Sequence, residues 1–265
     1  ETTLWRHLPA IYRNDGLGIY GLDEDDAVAT ISQPFLVLWM LEHLGVEPGM
    51  AVLEVGAGSG WNAGLLGALV SPDGTVDSVE IIAELAERAR RGIARAGLTN
   101  VRIIHGDAGA AVEGRVGDND AYDRVVFTAG THDLPGYLYR EVLKGGLLEL
   151  VLKCPGGGDL LVCMRKRDDH FQSEGMRACE FVPLTGRARL QKLDPLALEN
   201  FAPWPSLRDR RVSERVFYQG GRGAETFQAR TFALRTYLGV VEPRMRWFND
   251  AFGLWHEEDE SLALV

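Results

Sequence analysis

A short apolar run that ends in a cluster of glycines and then turns helical constrains this chain more than any other feature. Ala51-Val52-Leu53-Glu54-Val55 has the length and composition of a buried strand. Gly56-Ala57-Gly58-Ser59-Gly60 follows, and Trp61 opens a helical pattern that runs to Val70. Glycines at such a junction let the backbone turn tightly and let a ligand approach without Cβ clashes. The helix start beyond them offers free N–H groups. A strand, a glycine turn and a helix in this order form the opening unit of an α/β sheet.

The flanking sequence keeps the same alternation. Phe35 to Leu44 reads as a mostly buried helix that stops at Gly45, with Pro48-Gly49 marking a turn. Strands are expected at Thr75–Glu80, Val101–His105 and Tyr122–Thr128, with helices at Ala83–Ala96 and Leu134–Leu143. Leu147–Leu152 and Leu160–Met164 read as later strands. Strands separated by helices of this length indicate βαβ units, and so a mostly parallel, doubly wound Rossmann-like sheet.

Composition divides the chain into three parts. Residues 1–30 are an N-terminal segment carrying the acidic run Asp23-Glu24-Asp25-Asp26, read as a solvated loop because it lacks EF-hand spacing. Residues 31–186 hold the α/β pattern. Residues 187–265 break it, yet contain eleven of the 23 aromatic residues, all between Phe201 and Trp255. Disordered tails are poor in aromatics, so a folded C-terminal appendage is expected, with a helix over Glu225–Leu238 and a fraying acidic end at Glu257–Ser261.

The net charge of −10 disfavours a global grip on nucleic acid or on an anionic membrane. The apolar stretch Ile31–Leu41 is too short to span a bilayer. The chain opens without a basic-then-apolar leader, and its three cysteines, Cys154, Cys163 and Cys179, form no C-x-x-C pair. These features point to free thiols in a reducing cytoplasm and to no metal site.

Spacing narrows the ligand. The loop reads G-x-G-x-G, one residue shorter at its last step than the dinucleotide fingerprint. Such a loop suits a ligand that brings an amino-acid carboxylate rather than a pyrophosphate. Glu80, at the end of the next strand, is placed to accept hydrogen bonds from both ribose hydroxyls. Asp107, in His105-Gly106-Asp107-Ala108, follows the third strand and is placed to take an adenine amino group. Glycine loop, ribose acid and adenine acid at successive strand ends are the parts of an S-adenosylmethionine site. The plainer alternative is a glycine-rich turn with two surface acids.

Upstream lies Thr30-Ile31-Ser32-Gln33-Pro34. With Val52-Leu53-Glu54-Val55-Gly56-Ala57-Gly58-Ser59-Gly60-Trp61-Asn62-Ala63, this element resembles the protein-L-isoaspartate O-methyltransferase family. The family's acid after strand two matches Glu80, and its G-D pair matches Gly106-Asp107. Tyr122-Asp123-Arg124-Val125 and Phe181-Val182-Pro183-Leu184-Thr185-Gly186 match two further family segments. The likeness covers roughly residues 28–186, about 60% of the chain.

The resemblance implies methyl transfer from S-adenosylmethionine to an aspartyl or isoaspartyl carboxylate of a peptide or protein, with S-adenosylhomocysteine as product. It implies Ser32 as the catalytic residue, with a helix cap before Phe35 as the plainer role, and the two can coexist. It places Thr30, Ile31, Glu54, Gly56, Ala57, Gly58, Gly60, Glu80, Asp107 and Ala108 at the cofactor. It places Gln33, Thr128, Ala129, Gly130 and His132 on the substrate side.

Some positions depart from the family. His132-Asp133 is a polar insertion after strand four, and the family's P-V-G turn is replaced by Val151-Leu152-Lys153. The C-terminal appendage has no counterpart in the compact repair enzymes. These departures leave an alternative open, a tailoring enzyme that methylates an aspartate of a ribosomally made peptide and so drives aspartimide formation. Two other readings are a methyltransferase for a small acid, with a pocket roofed by Trp204, Trp247 or Trp255, and a non-catalytic cofactor-binding interaction protein.

Overall fold

The computed structural model describes residues 14–21, 29–108, 121–153, 159–186, 197–208, 245–247, 252–256 and 261–264. The chain divides into two compact units, one of Glu1–Leu152 with Asp159–Leu190, the other of Lys153–Gly158 with Gln191–Val265.

The first unit is built on a seven-stranded sheet of order β5-β4-β3-β6-β7-β8-β9. Its strands are β3 (Ala51–Val55), β4 (Thr75–Glu80), β5 (Val101–His105), β6 (Tyr122–Thr131), β7 (Val142–Lys153), β8 (Asp159–Lys166) and β9 (Phe171–Cys179). β5, β4, β3, β6 and β7 pair in parallel, while β8 and β9 are antiparallel. The strand order reverses beside β3, between β4 and β6, and open α/β sheets bind ligands at such a point. A hairpin of β1 (Leu17–Tyr20) and β2 (Ala29–Ile31) precedes the sheet, so part of the N-terminal segment belongs to this unit. Residues 22–28, with the acidic run, lie outside the described residues.

Helices α1 (Pro34–Leu44), α2 (Trp61–Val70) and α3 (Ala83–Arg95) follow the expected pattern within a residue or two. Alternate residues of the strands feed two cores. Leu53, Val55, Val125, Phe127, Leu148 and Leu150 pack on one face. Val52, Val126, Leu147 and Val151 pack on the other with Met40 and Leu44 of α1 and Leu66 and Val70 of α2. The first two residues after Tyr122 pin this arrangement. Asp123 accepts the Ala51 N–H at 2.9 Å, and the Arg124 guanidinium donates to the carbonyls of Leu44 and Gly45 where α1 ends.

The structure corrects two expectations and adds a strand. Helix survives only at α4 (Leu138–Glu141) within the expected Leu134–Leu143. Val142 already pairs with Tyr122, and β7 then bulges through Lys144-Gly145-Gly146 before Leu147 pairs with Arg124. Ser32 is not a helix cap. Pro34 opens α1 and Gln33 holds the cap position without a side-chain cap bond, while Asn14 Oδ1 accepts the Phe35 N–H from 21 residues away. β9 was not foreseen, because its eight-residue ladder with β8 alternates poorly and faces solvent on most positions.

In the second unit a 3-10 turn (Leu198–Asn200) and helix α5 (Trp204–Leu207) precede an antiparallel sheet. Its strands are β10 (Met245–Trp247), β11 (Phe252–His256) and β12 (Ser261–Leu264), in that order. Phe201 meets Trp255 edge to face at 5.2 Å between centroids. Ser261 pairs with His256 at the start of β12, so the expected fraying end does not extend to it, and residues 257–260 lie outside the described residues. The helix expected over Glu225–Leu238 lies outside the described residues.

Candidate active site

The carboxyl ends of β3, β4, β5 and β6 open onto a solvent-connected cleft. Its floor is the glycine loop. Gly56, Gly58 and Gly60 have φ of 101°, 52° and 79°, which a side chain would strain. Close packing adds a second reason at Gly60, where a Cβ would lie 2.9 Å from the Cβ of Ala89 on α3.

The loop spends most of its N–H groups on the protein itself. Gly56 and Ala57 donate to the carbonyl of Val79 at 2.9 and 3.1 Å, and Gly60 donates to that of Ala57 at 2.7 Å. Gly58 donates to Glu80 Oε2 at 2.8 Å, and Glu80 Oε1 accepts the Ile82 N–H at 2.9 Å. Glu80 is thereby fixed at the cleft wall with further lone pairs to offer a diol.

The other walls come from four segments. Ala29, Thr30, Ile31 and Ser32 form one edge, continued by Val37 and Met40 of α1. Ser59, Trp61 and Asn62 lie at the start of α2, and Gly106 and Ala108 follow β5. Thr128 and Ala129 come from β6, and Phe181 to Thr185 close the far side. Gly130 holds that last segment in place. Its N–H donates to Val182 O at 2.8 Å and its carbonyl accepts the Leu184 N–H at 2.7 Å.

Of the residues expected at the cofactor, Thr30, Ile31, Gly56, Ala57, Gly58, Glu80 and Ala108 line the cleft, as does Ser32. Glu54 does not. It is fully buried behind the wall, where it accepts from Asn62 Nδ2 at 2.7 Å and from the Ser78 hydroxyl, and burial pushes its carboxyl up to about 7. Its contact with the cleft runs through Asn62. Gly60 sits beneath the floor as the cap of α2. Asp107 lies between two lining residues, with its carboxylate against Gly186, where an added Cβ would meet Oδ2 at 2.7 Å.

On the substrate side Thr128 and Ala129 line the cleft, while Gln33, Gly130 and His132 stand off its wall. Trp61, Asn62, Met40, Ile81 and the Phe181–Thr185 wall were missed as site residues. The signal for the last was present in the segment Phe181-Val182-Pro183-Leu184-Thr185-Gly186, which matches the family, and Pro183 bridges to Gly130.

Tyr137, 8% exposed, leaves its hydroxyl buried without a hydrogen-bond partner, and burial pushes its pKa up. Glu149 on β7 is wholly buried with both carboxylate oxygens unpartnered, and burial raises it to about 8.

The residues present fit S-adenosylmethionine. Gly56 and Gly58 line the cleft with backbone alone, in the positive-φ conformation of a tight turn, and a fixed carboxylate stands at the end of β4.

The family model described as protein-L-isoaspartate(D-aspartate) O-methyltransferase matches residues 10–189. A protein-L-isoaspartate O-methyltransferase of Hyperthermus butylicus is 38% identical over 165 residues, covering 59% of this chain and 67% of that protein. Protein-L-isoaspartate O-methyltransferase 2 of Rhodopseudomonas palustris is 37% identical over 161 residues, covering 60% and 71%. A solved protein-L-isoaspartate O-methyltransferase superposes with a TM-score of 0.62 at 22% identity, over 93% of this chain and 71% of that one. A putative one from Plasmodium falciparum, in complex with S-adenosyl-L-homocysteine, gives 0.55 at 20% identity over 66% and 81%. The first of these solved structures therefore extends beyond the part of the chain that the family model matches.

Proposed function

The chain belongs to the protein-L-isoaspartate(D-aspartate) O-methyltransferase family, and on that premise we propose that it methylates an isoaspartyl carboxylate of a peptide or protein, with S-adenosylmethionine as donor. One observation carries the reading beyond membership. Ser32 stands on the same cleft as the glycine loop and Glu80, so the acceptor edge and the cofactor floor share one space.

S-adenosylmethionine, when bound, supplies an electrophilic methyl group on a sulfonium and leaves as S-adenosylhomocysteine. Gly56, Gly58, Glu80 and Ala108 would hold it, with Asp107 beside its adenine end. A carboxylate is already nucleophilic near neutrality, so this chain needs to supply position more than base strength. Ser32 orients one carboxylate oxygen by hydrogen bonding, and Ile31, Val37, Met40 and Phe181 keep that oxygen out of bulk water. The resulting ester is activated toward the next backbone nitrogen of the substrate. Ring closure then expels methanol and leaves a succinimide.

A second reading is methylation of an ordinary aspartate in one dedicated peptide. It is favoured by β7, which runs unbroken through Val151-Leu152-Lys153 where the family turns at P-V-G. We place the enzyme in the cytoplasm, in keeping with Cys163 as a buried free thiol. No helix among the described residues is long and apolar enough to cross a membrane.

Mass spectrometry of an isoaspartyl peptide incubated with enzyme and S-adenosylmethionine tests the proposal. The peptide should gain one methyl group and then lose methanol. A peptide left unchanged by enzyme that binds S-adenosylhomocysteine would overturn it.

A further inference from the structure

Helix α1 begins two residues after Ser32, and every residue from Phe35 to Leu41 is apolar. A helix apolar on all sides is normally covered on all sides. Here Val37 and Met40 face inward and line the cleft, but Phe35 is 50% exposed and Leu38 62% exposed. These two sit one turn apart on a single outer stripe.

The stripe carries a positive charge. The Arg177 guanidinium from β9 lies over the Phe35 ring at 5.2 Å and over the Trp39 ring at 5.3 Å. Farther along, His43 stacks on Trp39 at 3.7 Å and the exposed Glu42 completes a polar border. An apolar centre, one guanidinium held on aromatic faces and a polar rim compose a small recognition surface.

Two elements make the surface continuous with the cleft. α1 contributes to both, and the strand that presents Arg177 runs on into the Phe181–Thr185 wall. Leu38 lies about 8 Å along the helix axis from Gln33, a span of roughly two to three extended residues. We propose that this face docks the flank of the peptide substrate itself, taking a large apolar side chain on Phe35 and Leu38 and an acidic side chain at Arg177, within about three residues of the methylated carboxylate. The proposal deepens the carboxyl-methyltransferase reading and rests on it for the identity of the occupant. It makes the enzyme selective for sites in acidic, apolar surroundings.

Fluorescence anisotropy separates docking from catalysis. Two labelled isoaspartyl peptides are titrated with full-length protein in the presence of S-adenosylhomocysteine, one flanked by leucine and glutamate, the other by serine and lysine. The wild type should bind the first at least ten-fold more tightly. Leu38→Lys and Arg177→Glu should each bring the two within about two-fold, and Arg177→Glu should favour the lysine-flanked peptide. Both changes lie at exposed side chains, and unchanged affinity for S-adenosylhomocysteine verifies the fold. Equal affinity of the wild type for the two peptides overturns the proposal even if both are methylated. So does a dimer that Leu38→Lys dissociates in sedimentation, which would give the face to a second copy. Selective binding without any methyl transfer upholds the docking face and instead defeats the activity reading.

Discussion

Glu80 Oε2 accepts the Gly58 N–H at 2.8 Å, so the acid at the end of β4 shapes the glycine loop that ends β3. Its other oxygen holds Ile82 N–H at 2.9 Å. Glu80→Gln turns one of these acceptors into a donor that faces an N–H. The loss of one such bond to a charged group is worth about 1.5–3 kcal/mol. Affinity for S-adenosylhomocysteine should therefore fall by at least ten-fold in calorimetry, and the melting temperature should fall with it.

Ser32 lines the cleft outside helix α1, free of any duty as a cap. Ser32→Ala should lower kcat by an order of magnitude or more, the scale set by misplaced reacting groups. Affinity for S-adenosylhomocysteine should stay within about two-fold. A matched fall in both would make Ser32 part of the cofactor floor.

Gly60 and Gly97 both have positive φ, 79° and 70°, yet only Gly60 is crowded. A Cβ at Gly60 would lie 2.9 Å from Ala89 Cβ and 3.0 Å from its Cα, whereas one at Gly97 meets nothing within 4 Å. Gly97→Ala should cost about 1–2 kcal/mol, the left-handed penalty alone. Gly60→Ala adds overpacking and should cost roughly 2–4 kcal/mol by denaturant titration.

Glu149 is buried with neither oxygen paired, and its carboxyl is raised from 4.5 to about 8. The folded state thus keeps a proton that the unfolded chain releases. Between about pH 4.5 and pH 8 this side chain makes stability fall as pH rises, and the penalty is complete above pH 8. Glu54, raised to about 7, acts in the same direction over an overlapping range. Glu149→Leu removes one contribution and leaves the other. The variant should exceed the wild type in stability by roughly 1–4 kcal/mol at pH 8. Its advantage should be markedly smaller at pH 5, read from denaturant midpoints.

Much of this site is legible in the sequence because its parts are local. The glycine loop, Glu80 and Ala108 each sit at the end of a short strand whose boundaries follow from apolar runs and turns, and all reach the cleft. The motif positions that fail do so for lack of a third dimension. Glu54 belongs to the loop motif, but strand alternation turns it away from the cleft toward Ser78 and Asn62. Gly130 follows Thr128 and Ala129, yet its backbone is spent on Val182 and Leu184. Helix α4 is short because Val142 finds a partner in Tyr122, a pairing across twenty residues that no local pattern reveals. The same holds for Asn14, which caps α1 from the far side of the β1–β2 hairpin.

The most direct test of the activity is transfer from methyl-labelled S-adenosylmethionine to two peptides that differ in one linkage, an isoaspartyl peptide and its normal aspartyl twin. The account predicts base-labile label on the isoaspartyl peptide and background on the twin. Label on neither peptide, with S-adenosylhomocysteine still bound by the protein, would contradict it.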